Sequence, residues 1–124
     1  MKIRIQGNSI RYRLREPEVQ NFKNHNSVTE IIQFGTHTSQ KLRFVIQKSS
    51  CKHVSVDHAD QTTTIHVPEA IANNWTDTDL VGFDAIIAIT DGETLKVLVE
   101  KDFKCLDGSI EDNVGAYPNP AEQC

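Results

Sequence analysis

The stretch Lys2-Ile3-Arg4-Ile5-Gln6-Gly7-Asn8-Ser9-Ile10-Arg11-Tyr12-Arg13-Leu14 alternates apolar and charged residues on either side of a Gly-Asn turn. Successive side chains of a strand point to opposite faces, so two such runs joined by a two-residue glycine turn predict a β-hairpin. One face then holds Ile3, Ile5, Ile10, Tyr12 and Leu14, which can enter a core. The other holds Lys2, Arg4, Arg11 and Arg13, with Arg15 continuing the alternation just beyond.

Working outward, Glu16-Pro17-Glu18-Val19-Gln20-Asn21-Phe22 predicts a short helix. Proline and acidic residues suit a first helical turn, and Val19 and Phe22, three apart, form a small apolar stripe. Asn24-His25-Asn26-Ser27 ends the helix. Strands are expected over residues 28–34 and 42–46, with a turn at 35–39. The same order then recurs. Val54-Ser55-Val56 and Thr63-Thr64-Ile65-His66-Val67 flank a turn at Asp60-Gln61, and Pro68 opens a helix running to Trp75. Strands over 83–89 and 95–99 flank Asp91-Gly92.

An offset of 53 aligns the two halves. Leu14 falls on Val67, Phe22 on Trp75 and Val28 on Val81, and residues 42–48 fall on 95–101. Only five of 51 aligned pairs are identical; the shared order of elements and the block 42–48 on 95–101 mark the repeat. The expected fold is therefore mostly β (α+β), with tandem ββαββ units, 1–51 and 54–104, and two short helices. A repeat of this size cannot bury its hydrophobic face alone, and two copies would complete each other. Residues 105–124 contain Asp107, Glu111, Asp112 and Glu122 but no Lys or Arg, and read as an acidic C-terminal tail.

The gross numbers fit a single domain of 124 residues that can bury a core without disulfides or metal. The longest apolar runs, such as residues 85–89, are too short to span a bilayer, so no membrane association is expected. The first 20 residues alternate and carry four arginines, unlike a secretory signal, and three cysteines (Cys51, Cys105 and Cys124) read as reduced thiols. A cytoplasmic protein is expected. The net charge of −4 hides an asymmetry: residues 1–51 carry nine Lys/Arg and three Asp/Glu, residues 52–124 four and fourteen. A basic half can mark a surface for a polyanion; two solvated surfaces of differing composition are the alternative.

The first half resembles the swapped-hairpin family of AbrB-like and MazE-like proteins, through residues 2–14 and Glu18-Val19. Val67-Pro68-Glu69-Ala70-Ile71 and Asp91-Gly92-Glu93-Thr94-Leu95 resemble the same family's strand-to-helix junction and final hairpin. Members usually interleave two chains in one barrel; here both copies would lie in one chain, so the resemblance implies one small pseudo-twofold, swapped-hairpin-like barrel with two short helices. Two features depart from the family pattern. Arg15 stands where its helix-starting proline is, and the second hairpin reads Asp60-Gln61-Thr62 in place of Gly-Asn-Ser. The chain is also similar to an uncharacterised bacterial protein family that carries Lys101-Asp102-Phe103-Lys104-Cys105-Leu106 and Tyr117-Pro118-Asn119-Pro120.

The AbrB-like resemblance implies a regulatory domain that binds DNA through hairpin arginines. The candidate binding residues are Lys2, Arg4, Asn8, Arg11, Arg13 and Arg15. Five cations on one ribbon supply phosphate contacts, and a two-stranded ribbon fits a major groove. A charged face that merely keeps an edge soluble is the plain alternative. A degenerate relative that binds an acidic protein surface and no DNA is the functional alternative. The matching face of the second hairpin, Ser55, Asp57, Thr62, Thr64 and His66, has no Lys or Arg. Cys51, His53 and His58 lack a Cys-x-x-Cys partner, so no metal site and no cofactor is read. Nothing fixes a nucleophile beside a base, so no catalytic residue is assigned and the expectation is a non-enzyme. The sequence assigns no oligomeric state.

Overall fold

The computed structural model describes residues 1–103; the acidic tail, with Cys105 and Cys124, lies outside the described residues. The elements run β1 (Lys2–Gln6), β2 (Ser9–Leu14), α1 (Glu16–His25), β3 (Ser27–Gln33), β4 (Lys41–Ser49), β5 (Ser55–Ala59), β6 (Thr62–Pro68), α2 (Glu69–Asp77), β7 (Gly82–Thr90) and β8 (Glu93–Lys101). The chain is mostly β with two short helices, as the alternation predicts.

The strands form two four-stranded mixed sheets, ordered β1-β2-β8-β7 and β3-β4-β6-β5. Each sheet joins two antiparallel hairpins through a central parallel pair. Ser9 to Leu14 of β2 pair with Lys96 to Lys101 of β8, and Arg43 to Ser49 of β4 pair with Thr62 to Pro68 of β6. The expected closed barrel is not formed. Because the hairpins meet through β2 with β8 and β4 with β6, strands β1, β7, β3 and β5 become edges, and no described strand bridges them.

The gapless offset also needs correction at one strand. Val28 pairs with Ile46, whereas Val99, 53 residues after Ile46, pairs with Phe83. Phe83, not Val81, therefore takes the position of Val28. Burial agrees: Val28 is 7% exposed and Val81 49%. The connection from α2 to β7 is longer than the single residue between α1 and β3, and the turn of the last hairpin is correspondingly shorter.

Inward side chains of both sheets and both helices form one buried cluster. Tyr12, Leu14, Ile46, Ile65, Val67, Val97 and Val99 come from the strands, and Val19, Phe22, Ala72 and Trp75 from the helices. Ile10 is buried and Ile3 partly so, while Ile5, directly opposite Ile10 but on the edge strand β1, is exposed rather than in the core. Tyr12 lies in the row Ile3-Tyr12-Val99-Phe83. Its hydroxyl is buried without a hydrogen-bond partner, and burial pushes the phenol well above its ordinary pKa.

The helices meet through aromatic rings. Phe22 and Trp75 are fully buried and pack edge to face, with centroids 6.0 Å apart, and Trp75 packs in the same way on Phe83 at 5.5 Å. Such geometry sets the positive ring edge against a negative ring face. The indole Nε1–H donates to the Val81 carbonyl at 3.0 Å, which ties α2 to the start of β7. Lys23 of α1 pairs with Asp77 of α2 at 2.8 Å, and Lys101 of β8 donates to the Thr78 carbonyl at the C-terminal end of α2.

Helix α1 starts as its sequence suggests. The Glu18 carboxylate accepts from the Arg15 backbone N–H at 2.9 Å, and Asn26 adopts a left-handed φ of 66° while its N–H donates to the Phe22 carbonyl. Glu18 and Glu30 both accept from the Met1 amino group. Burial opposes charge on Glu18, but the hydrogen bonds from Met1 and Arg15 outweigh it and hold its pKa below the ordinary glutamate value.

Removing either interlocked ring leaves a cavity where both helices meet the sheets. Phe22→Ala and Trp75→Ala are each expected to lower the unfolding free energy by about 3–5 kcal/mol in urea denaturation. Losses under about 1 kcal/mol for both would place the rings outside the core.

Candidate interaction face of the first hairpin

Strand β2 shows strict alternation: Ile10, Tyr12 and Leu14 are buried, and Ser9, Arg11 and Arg13 are partly exposed. Lys2 and Arg4 of β1 are exposed, and register places them beside Arg13 and Arg11 respectively. Four of the five predicted cations, Lys2, Arg4, Arg11 and Arg13, therefore share one outer face. Asn8 is at the hairpin turn after Gly7, whose φ is 57°, and its side-chain amide donates to the Thr94 carbonyl at 2.7 Å. That bond holds the turn to β8 and occupies part of the Asn8 side chain. Arg15 stands apart at the start of α1, 3.6 Å from Glu18.

The sequence reading missed what lies next to this ribbon. Strand β8 runs parallel beside β2 and brings Glu100 level with Arg13. The Nε atoms of Arg11 and Arg13 lie 2.8 and 2.7 Å from the same oxygen, Glu100 Oε1. The Arg13 contact has hydrogen-bond geometry; the Arg11 Nε does not align as a donor and is buried without a hydrogen-bond partner. Lys2 pairs with Asp102 at 3.0 Å. Arg4 sits in the cross-strand row Arg4-Arg11-Leu98-Asp84. Lys96 of β8 is exposed on the same face, in the row of Ser9. Among the described residues, the face thus gathers five cations, Lys2, Arg4, Arg11, Arg13 and Lys96, with three carboxylates, Asp84, Glu100 and Asp102.

Two guanidinium groups on one carboxylate have a definite consequence. Glu100 brings one negative charge between two guanidinium groups and holds both in place. The order of β8 in the sheet was the missing information; alternation along residues 95–99 gave its faces but not its neighbour.

The corresponding face of β5 and β6 differs chemically. His66 links two side chains: its Nδ1 is 2.9 Å from Ser49 Oγ and its Nε2 is 2.8 Å from Asp57 Oδ2. A proton on Nε2 satisfies both, with the imidazole donating to Asp57 and accepting from Ser49. His58 contacts Thr63 Oγ1 at 2.7 Å. The relay lies on an open sheet face. A cleft of about 390 Å³ lies elsewhere, lined by Leu14, Val19, Gln20, Thr76, Lys101 and Phe103 among others. Among the described residues no group of three or more His, Cys, Asp or Glu could hold a metal ion. Among the described residues no helix is long and apolar enough to cross a membrane.

The chain belongs to a family of unknown function, DUF7009, which matches residues 1–121. That agrees with the likeness to an uncharacterised family carried by residues 101–106 and 117–120. No curated protein and no solved structure matches the chain.

Because one carboxylate serves two arginines, their substitutions should not be additive. Arg11→Gln and Arg13→Gln singly leave Glu100 one cation, whereas the double variant leaves a mostly buried carboxylate with neither. The double variant is expected to exceed the sum of the singles by about 1 kcal/mol in a urea double-mutant cycle. Additive effects would show that Glu100 is not the shared partner.

Proposed function

We propose that this DUF7009 protein is a non-enzymatic regulatory binding domain of the AbrB-like, swapped-hairpin kind, built as a tandem duplication, that engages nucleic acid through the outer face of β1 and β2. Three regularities support the duplication. The strand order β1-β2-β8-β7 becomes β5-β6-β4-β3 when each half is exchanged for the other. Ser9 pairs with Lys96 and Thr62 with Arg43, while Lys2 pairs with Arg13 and Ser55 with His66; every corresponding position differs by 53. The backbone bonds from Lys96 N–H to Asn8 and from Arg43 N–H to Gln61 correspond in the same way.

The observation that carries the binding proposal is the gathering of five cations on one sheet face, with three carboxylates among the described residues, and the anchoring of Arg11 and Arg13 by a single carboxylate. Anchored guanidinium groups lose less rotamer freedom on meeting a phosphate, and each phosphate neutralised releases counterions. The face is single: at the positions of Arg4 and Arg13, β5 and β6 carry Asp57 and His66. One chain accordingly offers one basic ribbon rather than a symmetric pair.

A protein partner with an acidic surface is the second reading. The observation favouring it is that Glu100 and Asp102 already engage Lys2, Arg11 and Arg13, which suits short-range matching of charges. Salt dependence separates the two. With random duplex DNA, Arg4→Gln combined with Arg11→Gln should weaken binding at least tenfold and reduce the slope of log affinity against log salt by about two. Asp57→Asn combined with His66→Gln should leave both quantities unchanged. No binding of the intact protein at about 50 mM salt, where phosphate contacts are strong, would remove nucleic acid and leave the protein-partner reading.

A further inference from the structure

Four strands are sheet edges, and three carry the charges that discourage pairing with another chain. Strand β1 has Lys2 and Arg4, β5 has Asp57 with His58, and β3 has Glu30 at its centre. Strand β7 differs. Its nine residues, Gly82-Phe83-Asp84-Ala85-Ile86-Ile87-Ala88-Ile89-Thr90, contain one charge, near the start, followed by six uncharged residues without proline. Ile86 is 70% exposed and Ile89 51%. Among the described residues no strand pairs with its outer side. A long apolar edge with unpaired backbone groups is a template for another strand.

We propose that β7 is a homodimer interface, in which the strand pairs antiparallel with β7 of a second copy of this chain. Self-pairing fits the distribution of charge. With Ile86 at the twofold axis, Asp84 faces the partner's Ala88 and Gly82 faces the partner's Thr90, so no like charges oppose one another. Ile86 meets the partner's Ile86, which covers the most exposed large apolar side chain of the described chain. The contact is isologous and closes on itself, so it yields a dimer rather than a filament.

The result is one continuous eight-stranded sheet, with β1 and β2 of each chain at its two ends. The twofold axis of an antiparallel edge pairing is perpendicular to the sheet, so both basic ribbons lie on the same side. At the usual strand spacing their centres are about 29 Å apart, near the span of one turn of duplex DNA. This last consequence rests on the nucleic-acid reading above; the dimer rests only on the edge strand, and its test contains no DNA.

Sedimentation velocity of the full chain over a dilution series should show a reversible monomer–dimer equilibrium. Ile86→Lys, which puts a charge at the axis, should weaken dimerisation roughly tenfold or more. Ile31→Lys should leave it unchanged, because Ile31 holds the matching outward position on β3. Both substitutions are on exposed side chains, and unchanged thermal midpoints would show that the fold is intact. A chain that stays monomeric throughout, an Ile86→Lys protein that dimerises as before, or an equal loss in Ile31→Lys would overturn the proposal.

Discussion

The parallel contacts between β2 and β8 and between β4 and β6 are the constraint on which the rest of the structure depends. Each sheet takes one hairpin from each half of the chain, so neither half contains a complete sheet. Two hairpins from one half would leave their inner strands unpaired, and a two-stranded ribbon is marginal in water. The contacts are also distant in sequence. Joining Ser9 to Lys96 closes a long loop of the chain, and that entropy is repaid only when the core forms with it. Phe22 and Trp75 fasten the same arrangement from the helical end, because their contact brings together α1 of one half and α2 of the other.

The interleaving also determines the chemistry of the candidate face. The β1–β2 ribbon alone is a row of like charges, and repulsion between Arg4 and Arg11, which register sets side by side, would spread it. The neighbouring strand supplies Glu100 and Asp102. The carboxylates that make the basic ribbon tolerable thus come from the other end of the sequence. In the second sheet the corresponding neighbour is β4, which presents Gln47 and Ser49 where β8 presents Glu100 and Asp102. There His66 bonds to Ser49 and Asp57 instead. Similar backbones in the two sheets consequently support different surfaces.

Much of this was legible from residue order. Alternation in 2–14 located the first hairpin and its two faces because the side-chain period of a strand is two. Apolar spacing and proline located both helices, and the matched positions of Phe22 and Trp75 marked the core. Strand neighbours were not legible from alternation, which gives the faces of a strand and says nothing of what lies beside it. Glu100 was therefore missed; it lies one residue beyond the strand expected at 95–99, which in the structure extends to Lys101. The shift that puts Phe83 in place of Val28 was hidden because extra residues before β7 are offset by a shorter turn after it. Barrel closure, expected by resemblance, depends on hydrogen bonds between edge strands, and these edges pair with nothing described.

The interleaving is tested most directly by the unfolding of the first half alone. A fragment of residues 1–53 contains β1 to β4 and both of that half's turns, yet lacks β8 and β6. The account predicts no cooperative transition by circular dichroism for the isolated fragment when dilute, and its appearance on adding residues 54–124 in equal amount. A cooperative, concentration-independent transition of residues 1–53 alone would show a self-sufficient half and would contradict the account.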